Sequence, residues 1–167
     1  MTTAILYTTV EAIRTCVGVD GADVVDLMIQ DQGLKIRFTS DLDSWYPSAS
    51  YVADWESSGF DPTEDTGVDI ETPTTEERKG HLLSAYSMWF GAASLLQTML
   101  AIPQKISDGK NEVQRFQGID LEKIYERVLG NLAAVKEVIV QESTPTSAVI
   151  LGAKKVESET YNPITGV

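Results

Sequence analysis

The chain has 167 residues, a net charge of −12, 43% hydrophobic and 23% charged residues, an ordinary globular composition apart from its acidity. A domain near this length buries roughly 70% of its unfolded surface, enough for one real core and one domain. The acidic balance argues against a nucleic-acid or anionic-membrane binder, which needs a basic face to displace counterions, and one cysteine, Cys16, excludes an internal disulfide framework.

The N-terminal MTTAILYTTVEAIRTC lacks the basic start and continuous apolar core of a signal peptide, so the protein is expected to be intracellular when made. Thr8-Thr9-Val10-Glu11 fits a capping box in which Thr8 caps a helix running to about Val17, and Gly18 ends it. Cys16, beside Ile13 and Val17, reads as a buried thiol behaving as a small hydrophobe. Asp20 or Asp23 is then expected to cap a second helix with Val24, Leu27, Met28, Leu34 and Phe38 on its apolar face.

From Thr39 to Thr75 the helical period is lost and an inserted loop is expected. It holds nine carboxylates and no base between Arg37 and Arg78. It also holds Trp45, Tyr46, Tyr51, Trp55 and Phe60, too many aromatics for a plain linker. Tyr51, Ala53 and Trp55 alternate with Val52 and Asp54 as in a short half-buried strand, so a short β-hairpin fits here. Asp41-x-Asp43 and Glu64-Asp65 lack the spaced ligands and glycine of a calcium loop, and no metal or other cofactor is expected. The aromatics fit a sugar-binding surface or packing on a partner subunit, which makes Trp45, Tyr46, Trp55, Phe60, Asp61, Glu64 and Asp65 the candidate interface.

Leu82 to Ile102, LLSAYSMWFGAASLLQTMLAI, carries no charge and is the one long apolar segment of the chain. Leu82, Tyr86, Trp89, Ala93, Leu96 and Leu100 share one helical face, and Ala85, Met88, Ala92, Leu95, Met99 and Ile102 lie beside it. The remaining stripe, Ser84, Ser87, Gly91, Ser94 and Thr98, is small enough for another backbone to approach closely. Such a helix is buried, in a bundle or in a membrane. The serines, Gln97 and the lack of a second apolar segment favour the bundle. Thr74 and Glu77 form a capping box at its start, and Pro103 stops it.

Ser107-Asp108-Gly109 marks a turn in the connector that follows. Asp120 caps a last helix with Leu121, Ile124, Tyr125, Val128, Leu132, Val135 and Ile139 on one face and a charged face opposite. The expected architecture is therefore mainly α, a small helical bundle around one long buried helix over residues 1–142, with the 39–75 insertion. Residues 143–167 read as an extended C-terminal arm, in which Val149, Ile150, Leu151, Tyr161 and Pro163 are the candidate docking residues.

Signs of chemistry are sparse. The single histidine, His81, is a thin basis for a catalytic triad, and GxxxxGK[ST], GxGxxG, CxxC and HExxH are all absent. No enzyme is expected.

Thr9, Glu11, Ala12, Ile13, Val19, Asp20, Asp23 and Leu27 resemble the opening pattern of the head-tail connector (adaptor) proteins of tailed bacteriophages. Tyr161, Asn162, Pro163, Thr165 and Gly166 are similar to the closing YDPxTG of small phage virion proteins. The resemblance implies a structural virion subunit at the neck, in a homo-oligomeric ring, commonly twelve-fold. That ring sits under the portal protein and continues the DNA channel toward a stopper or tail protein, with the arm on the portal or a neighbour. DNA would pass without specific binding. The competing readings are another neck or tail-completion (stopper) protein, a single-span membrane accessory protein, and a soluble binding module.

Overall fold

A computed structural model of the chain describes residues 4–21, 23–30, 32–46, 51–64, 73–101, 105–107, 112–114 and 120–143. In chain order these form β1 (Ala4–Ile5), β2 (Thr8–Thr9), α1 (Val10–Val17), α2 (Asp26–Ile29), α3 (Gln32–Trp45), α4 (Tyr51–Ser58), α5 (Thr75–Ala101), β3 (Lys105–Ser107), β4 (Glu112–Gln114) and α6 (Leu121–Ser143). The fold is the mainly helical bundle expected. Among the described residues its sheet content is two small antiparallel pairs, Ala4 opposite Thr9 and Lys105 opposite Gln114.

α5 is the axis. Its 27 residues span about 40 Å, and the expected capping box starts it: the Thr74 amide donates to Glu77 Oε2 at 2.7 Å and the Glu77 amide to Thr74 Oγ1 at 3.2 Å. These bonds, the Thr74 amide first, hold the Glu77 carboxyl below the usual carboxylate range. Leu83, Tyr86, Ala92, Leu95, Leu96 and Met99 are buried all round the helix. The core has two halves along it. Val10, Ile13, Val17, Val24, Ile29, Leu121 and Val128 gather about the C-terminal half of α5. Phe38, Leu42 and Ile139 gather with Leu83 and Tyr86 about its N-terminal half.

The small-residue stripe admits neighbours as expected, and it extends back to Gly80. A Cβ on Gly91 would stand 2.5 Å from Ile13 Cδ1, so α1 crosses there. A Cβ on Gly80 would stand 2.7 Å from Ser58 Cβ and 2.8 Å from Phe60 Cβ, so the end of α4 crosses there. Between the two, the buried hydroxyl of Ser87 receives the Tyr7 amide at 3.4 Å.

Several expectations are corrected. Thr8 pairs in β2, so the cap of α1 falls one residue later on Thr9, whose hydroxyl accepts from the Ala12 amide at 3.1 Å. Gly18 ends α1 as expected, at φ 80°. The second helix is interrupted between Ile29 and Gln32, and it starts late, at Asp26. Arg14 is buried and donates from Nε and an Nη to the Val24 carbonyl at 2.9 and 2.7 Å and to the Asp26 carboxylate, so that carbonyl is not free to accept a helical amide. Asp23 meanwhile donates its amide to Asp20 Oδ1 at 3.1 Å, the local bonding that lets an aspartate turn replace a helix.

The expected loop from Thr39 is also corrected in its described residues. Leu34, Phe38 and Leu42 are all buried, and their spacing of four carries α3 on to Trp45. The strand or hairpin expected around Tyr51 to Trp55 is instead α4. Alternation and helical spacing both fit so short a run, and burial of Ser58 with half-burial of Tyr51, Asp54 and Trp55 shows that the helical one won. The last helix begins as expected, with Asp120 Oδ1 accepting from the Lys123 amide at 3.0 Å. It runs antiparallel to α5, tied by Gln97 to the Tyr125 hydroxyl at 2.7 Å near one end and Arg78 to Glu142 at 2.6 Å near the other.

Two glycines test this packing in opposite directions. Gly80→Ala gains about 1 kcal/mol of helix propensity but overpacks a contact where such insertions cost about 1 to 3 kcal/mol, and it should lower the unfolding midpoint. Gly130 on α6 has nothing within 4 Å of an added Cβ, so Gly130→Ala should raise stability by about 0.5 to 1 kcal/mol. Leu96→Ala, at a fully buried position, should cost about 2 to 5 kcal/mol. Denaturant titrations read all three.

Candidate functional site

Of the candidate interface residues, the structure gathers the aromatic ones into one layer on the N-terminal half of α5. Trp45 lies 5.0 Å from Tyr86 and 5.8 Å from Tyr46 between ring centroids, and Tyr46 lies 6.0 Å from Tyr51. Trp55 lies 4.7 Å from Tyr7 and 5.6 Å from Phe60, whose ring sits 4.4 Å from that of His81. Tilted and edge-on pairs of this kind add about 0.5 to 1.5 kcal/mol each beyond their buried area. These rings pack against the protein's own helix, and neither a sugar nor a partner subunit is needed to explain them.

The carboxylates of the same region divide into two sets. Asp41 accepts from Trp45 Nε1 at 2.8 Å and from the Tyr86 hydroxyl. Burial pushes the Tyr86 phenol well above its ordinary value, and the Asp41 bond and charge push it further. Asp54 accepts from the Tyr46 hydroxyl at 3.0 Å and pairs with Lys79 Nζ at 2.8 Å. Tyr51 is raised by burial first and then by Asp43. Glu56 and Glu64 are exposed, as is Asp61, whose oxygen takes the Thr63 hydroxyl and amide at 2.7 and 2.8 Å. These bonds, the hydroxyl first, hold the Asp61 carboxyl below the usual range. Asp65 lies outside the described residues, as do the arm candidates Val149, Ile150, Leu151, Tyr161 and Pro163.

The sequence reading missed three participants. Tyr7 joins the aromatic layer from the β1–β2 turn, and Lys79 holds Asp54 from α5. Lys136 of α6 lies over the Trp45 ring, 4.6 Å from its centroid. All three contacts are long-range, and no local spacing announces them. A small cleft of about 40 Å³ is lined by Leu34, Arg37, Gly91, Ser94 and Thr98. Among the described residues no group of three or more His, Cys, Asp or Glu is placed to hold a metal ion.

Compared with protein-family models, with curated proteins and with solved structures, the chain finds no match. Function must therefore be argued from the surfaces themselves.

Two titrations follow from this geometry. Burial pushes the Cys16 thiol up from 9.0 to about 11, against a smaller opposing effect of Arg127. At pH 8 its thiolate should be about 100-fold scarcer than for an ordinary cysteine, and alkylation of the native protein should be slower than that of the unfolded chain by a comparable factor. Cys16 and Tyr86 both have raised values in the fold, so the stability they contribute is complete below their unfolded values, near pH 9 and pH 10, and is lost as pH rises beyond. Asp41→Ala should cost about 1 to 3 kcal/mol, because it leaves the Tyr86 hydroxyl and the Trp45 indole without their acceptor. A midpoint unchanged by that substitution would contradict the network.

Proposed function

We propose that the chain is a structural virion protein, a head-tail connector (adaptor) subunit of a tailed bacteriophage. In this reading it forms a homo-oligomeric ring, twelve-fold as is common for such connectors, between the portal protein and a stopper or tail protein. The DNA channel runs through the ring.

The observation that carries the reading is the role of the motif residues. Thr9 is the N-cap of α1, Ile13 is the side chain seated on Gly91, Val19 is buried, and Asp20 and Asp23 close the turn that follows. The resembling pattern is thus the pattern that docks the first helix on the bundle axis. The end of α6 adds support, since Glu142 is paired with Arg78 on the first turns of α5. The C-terminal segment starts from that fixed point, as an arm reaching another subunit requires. A second reading, a stopper or other neck protein, shares these features.

The single-span membrane reading rested on the apolar run now found in α5. Among the described residues no helix is long and apolar enough to cross a membrane.

Labelled virions test the assignment: label at the neck, between portal and tail, is expected, and label on capsid faces or tail fibres would overturn it. Removing residues 144–167 should leave the helical circular dichroism of the bundle nearly intact and abolish ring or portal association. A further expectation follows from the charge of −12. Carboxylates repeated around a lumen repel phosphate within about 8 to 10 Å at physiological salt, so the protein should show no useful affinity for duplex DNA. Filter binding at low salt is the check, and micromolar binding that weakens steeply with added salt would reveal a basic face and sink this account.

A further inference from the structure

The turn between β1 and β2 is strained. Leu6 stands at φ 55°, and among the described residues it is the one residue other than glycine with a positive φ. The left-handed region crowds the Cβ of a leucine, and such a backbone persists only where its surroundings over-determine it. Here the surroundings are the seat of Tyr7. Its amide donates to the Ser87 hydroxyl at 3.4 Å, a long bond. Its ring lies 4.7 Å from Trp55, 5.9 Å from Phe38 and 6.4 Å from Tyr51 between centroids. Trp55 and Tyr51 both belong to α4.

α4 in turn is thinly held. It buries Ser58 alone, with Tyr51, Asp54 and Trp55 half-buried, whereas α1, of the same length, buries Val10, Ile13, Arg14 and Val17. Leu6, Tyr7, Tyr51 and Trp55 pack from outside on the buried cluster of Phe38, Leu42, Leu83, Tyr86 and Ile139, and none is a member of it. α4 also holds Lys79 through Asp54 at 2.8 Å and fits Ser58 into the notch at Gly80. A segment with so few buried side chains lies at the low end of the range of local stabilities within a fold.

We propose that α4 and residues 4–7 form one strap, closed over the aromatic half of the core, that opens as a unit while the rest of the bundle stays folded. The coupling follows from what each part lacks alone. Without Trp55 and Tyr51, Tyr7 loses two of the rings that seat it, and relaxation of the Leu6 backbone carries it out. Without Tyr7, α4 loses the ring against which both of its aromatic side chains lie. Thr8 and Thr9 are buried and stay with α1. Coupling between two sites is reciprocal, so whatever engages the N-terminal strand acts on α4, and whatever engages α4 acts on the strand. The strap is thus a conformational switch that joins the N-terminal strand to the acidic surface of α4, where Glu56 is exposed.

Hydrogen exchange resolved amide by amide on the full chain tests the strap from both ends. Lys79→Met removes the charge that holds Asp54, and Tyr7→Ala removes the ring; unchanged exchange in α6 verifies the fold of each variant. Lys79→Met should speed exchange throughout α4 by about tenfold or more, the loss expected when a charged hydrogen bond is broken. The Tyr7 amide should speed up by the same factor, although Lys79 lies two turns along α5 from Ser87. Tyr7→Ala should speed exchange in α4 to a similar extent. Faster exchange in α4 with an unchanged Tyr7 amide in Lys79→Met, or an unchanged α4 in Tyr7→Ala, would overturn the coupling. Exchange unchanged everywhere in Lys79→Met would overturn the thin hold on α4 from which the strap follows. Acceleration shared equally by α1, α5 and α6 would show that the strap has no opening of its own, and would overturn it too.

Discussion

The fold depends on how closely other segments approach one side of α5. Gly80, Ser87 and Gly91 remove side-chain bulk from a single stripe of that helix. The end of α4, the β1–β2 turn and α1 each take one of the three places. Close contact is what lets a helix be buried on that side without a second layer of large side chains. It also fixes where along the axis each element sits, because a hole made by one missing Cβ accepts one knob. Dense packing gives such contacts little room to slide.

Much of this was legible in the sequence, for reasons that can be named. The Thr74 and Glu77 box, the Asp120 cap, the Gly18 terminator and the uncharged run after Leu82 are local signals whose physics acts within one turn of helix. What was not legible depends on distant partners. Nothing near Val24 indicates that Arg14 will occupy its carbonyl, yet that bond stands where the expected helix fails to start, and α2 begins only at Asp26. The reading of a loop from Thr39 gave weight to acids and prolines, when the spacing of Leu34, Phe38, Leu42 and Trp45 already extended the helix. At α4 a strand and a helix fitted the same five residues, and only the presence of Gly80 and Tyr7 to pack against decided between them.

The acidic aromatic segment shows why composition alone misleads about role. Asp41 and Asp54 look in the sequence like members of a solvated charge run. In the fold, Asp41 accepts the Trp45 indole and the Tyr86 hydroxyl, and Asp54 the Tyr46 hydroxyl and the Lys79 ammonium. An aromatic layer containing tyrosines and tryptophans has polar edges that must be satisfied when it is buried. Carboxylates do this well because they accept and never donate at neutral pH. Part of the acidity is thus a structural requirement of the aromatic half of the core, which leaves the exposed residues, Glu56, Asp61 and Glu64 among them, to set the surface potential.

That division bears on assembly. Copies that each carry a charge of −12 repel at a distance, and salt screens this only beyond about 8 to 10 Å. Any contact between copies would then need a place where the local sign differs from the global one. Lys136 is held by its seat over Trp45, and Arg127 is positioned by donating to the Cys16 carbonyl at 3.0 Å. Both cations are fixed by the bundle itself, so bases as well as acids of this chain are drawn into its packing.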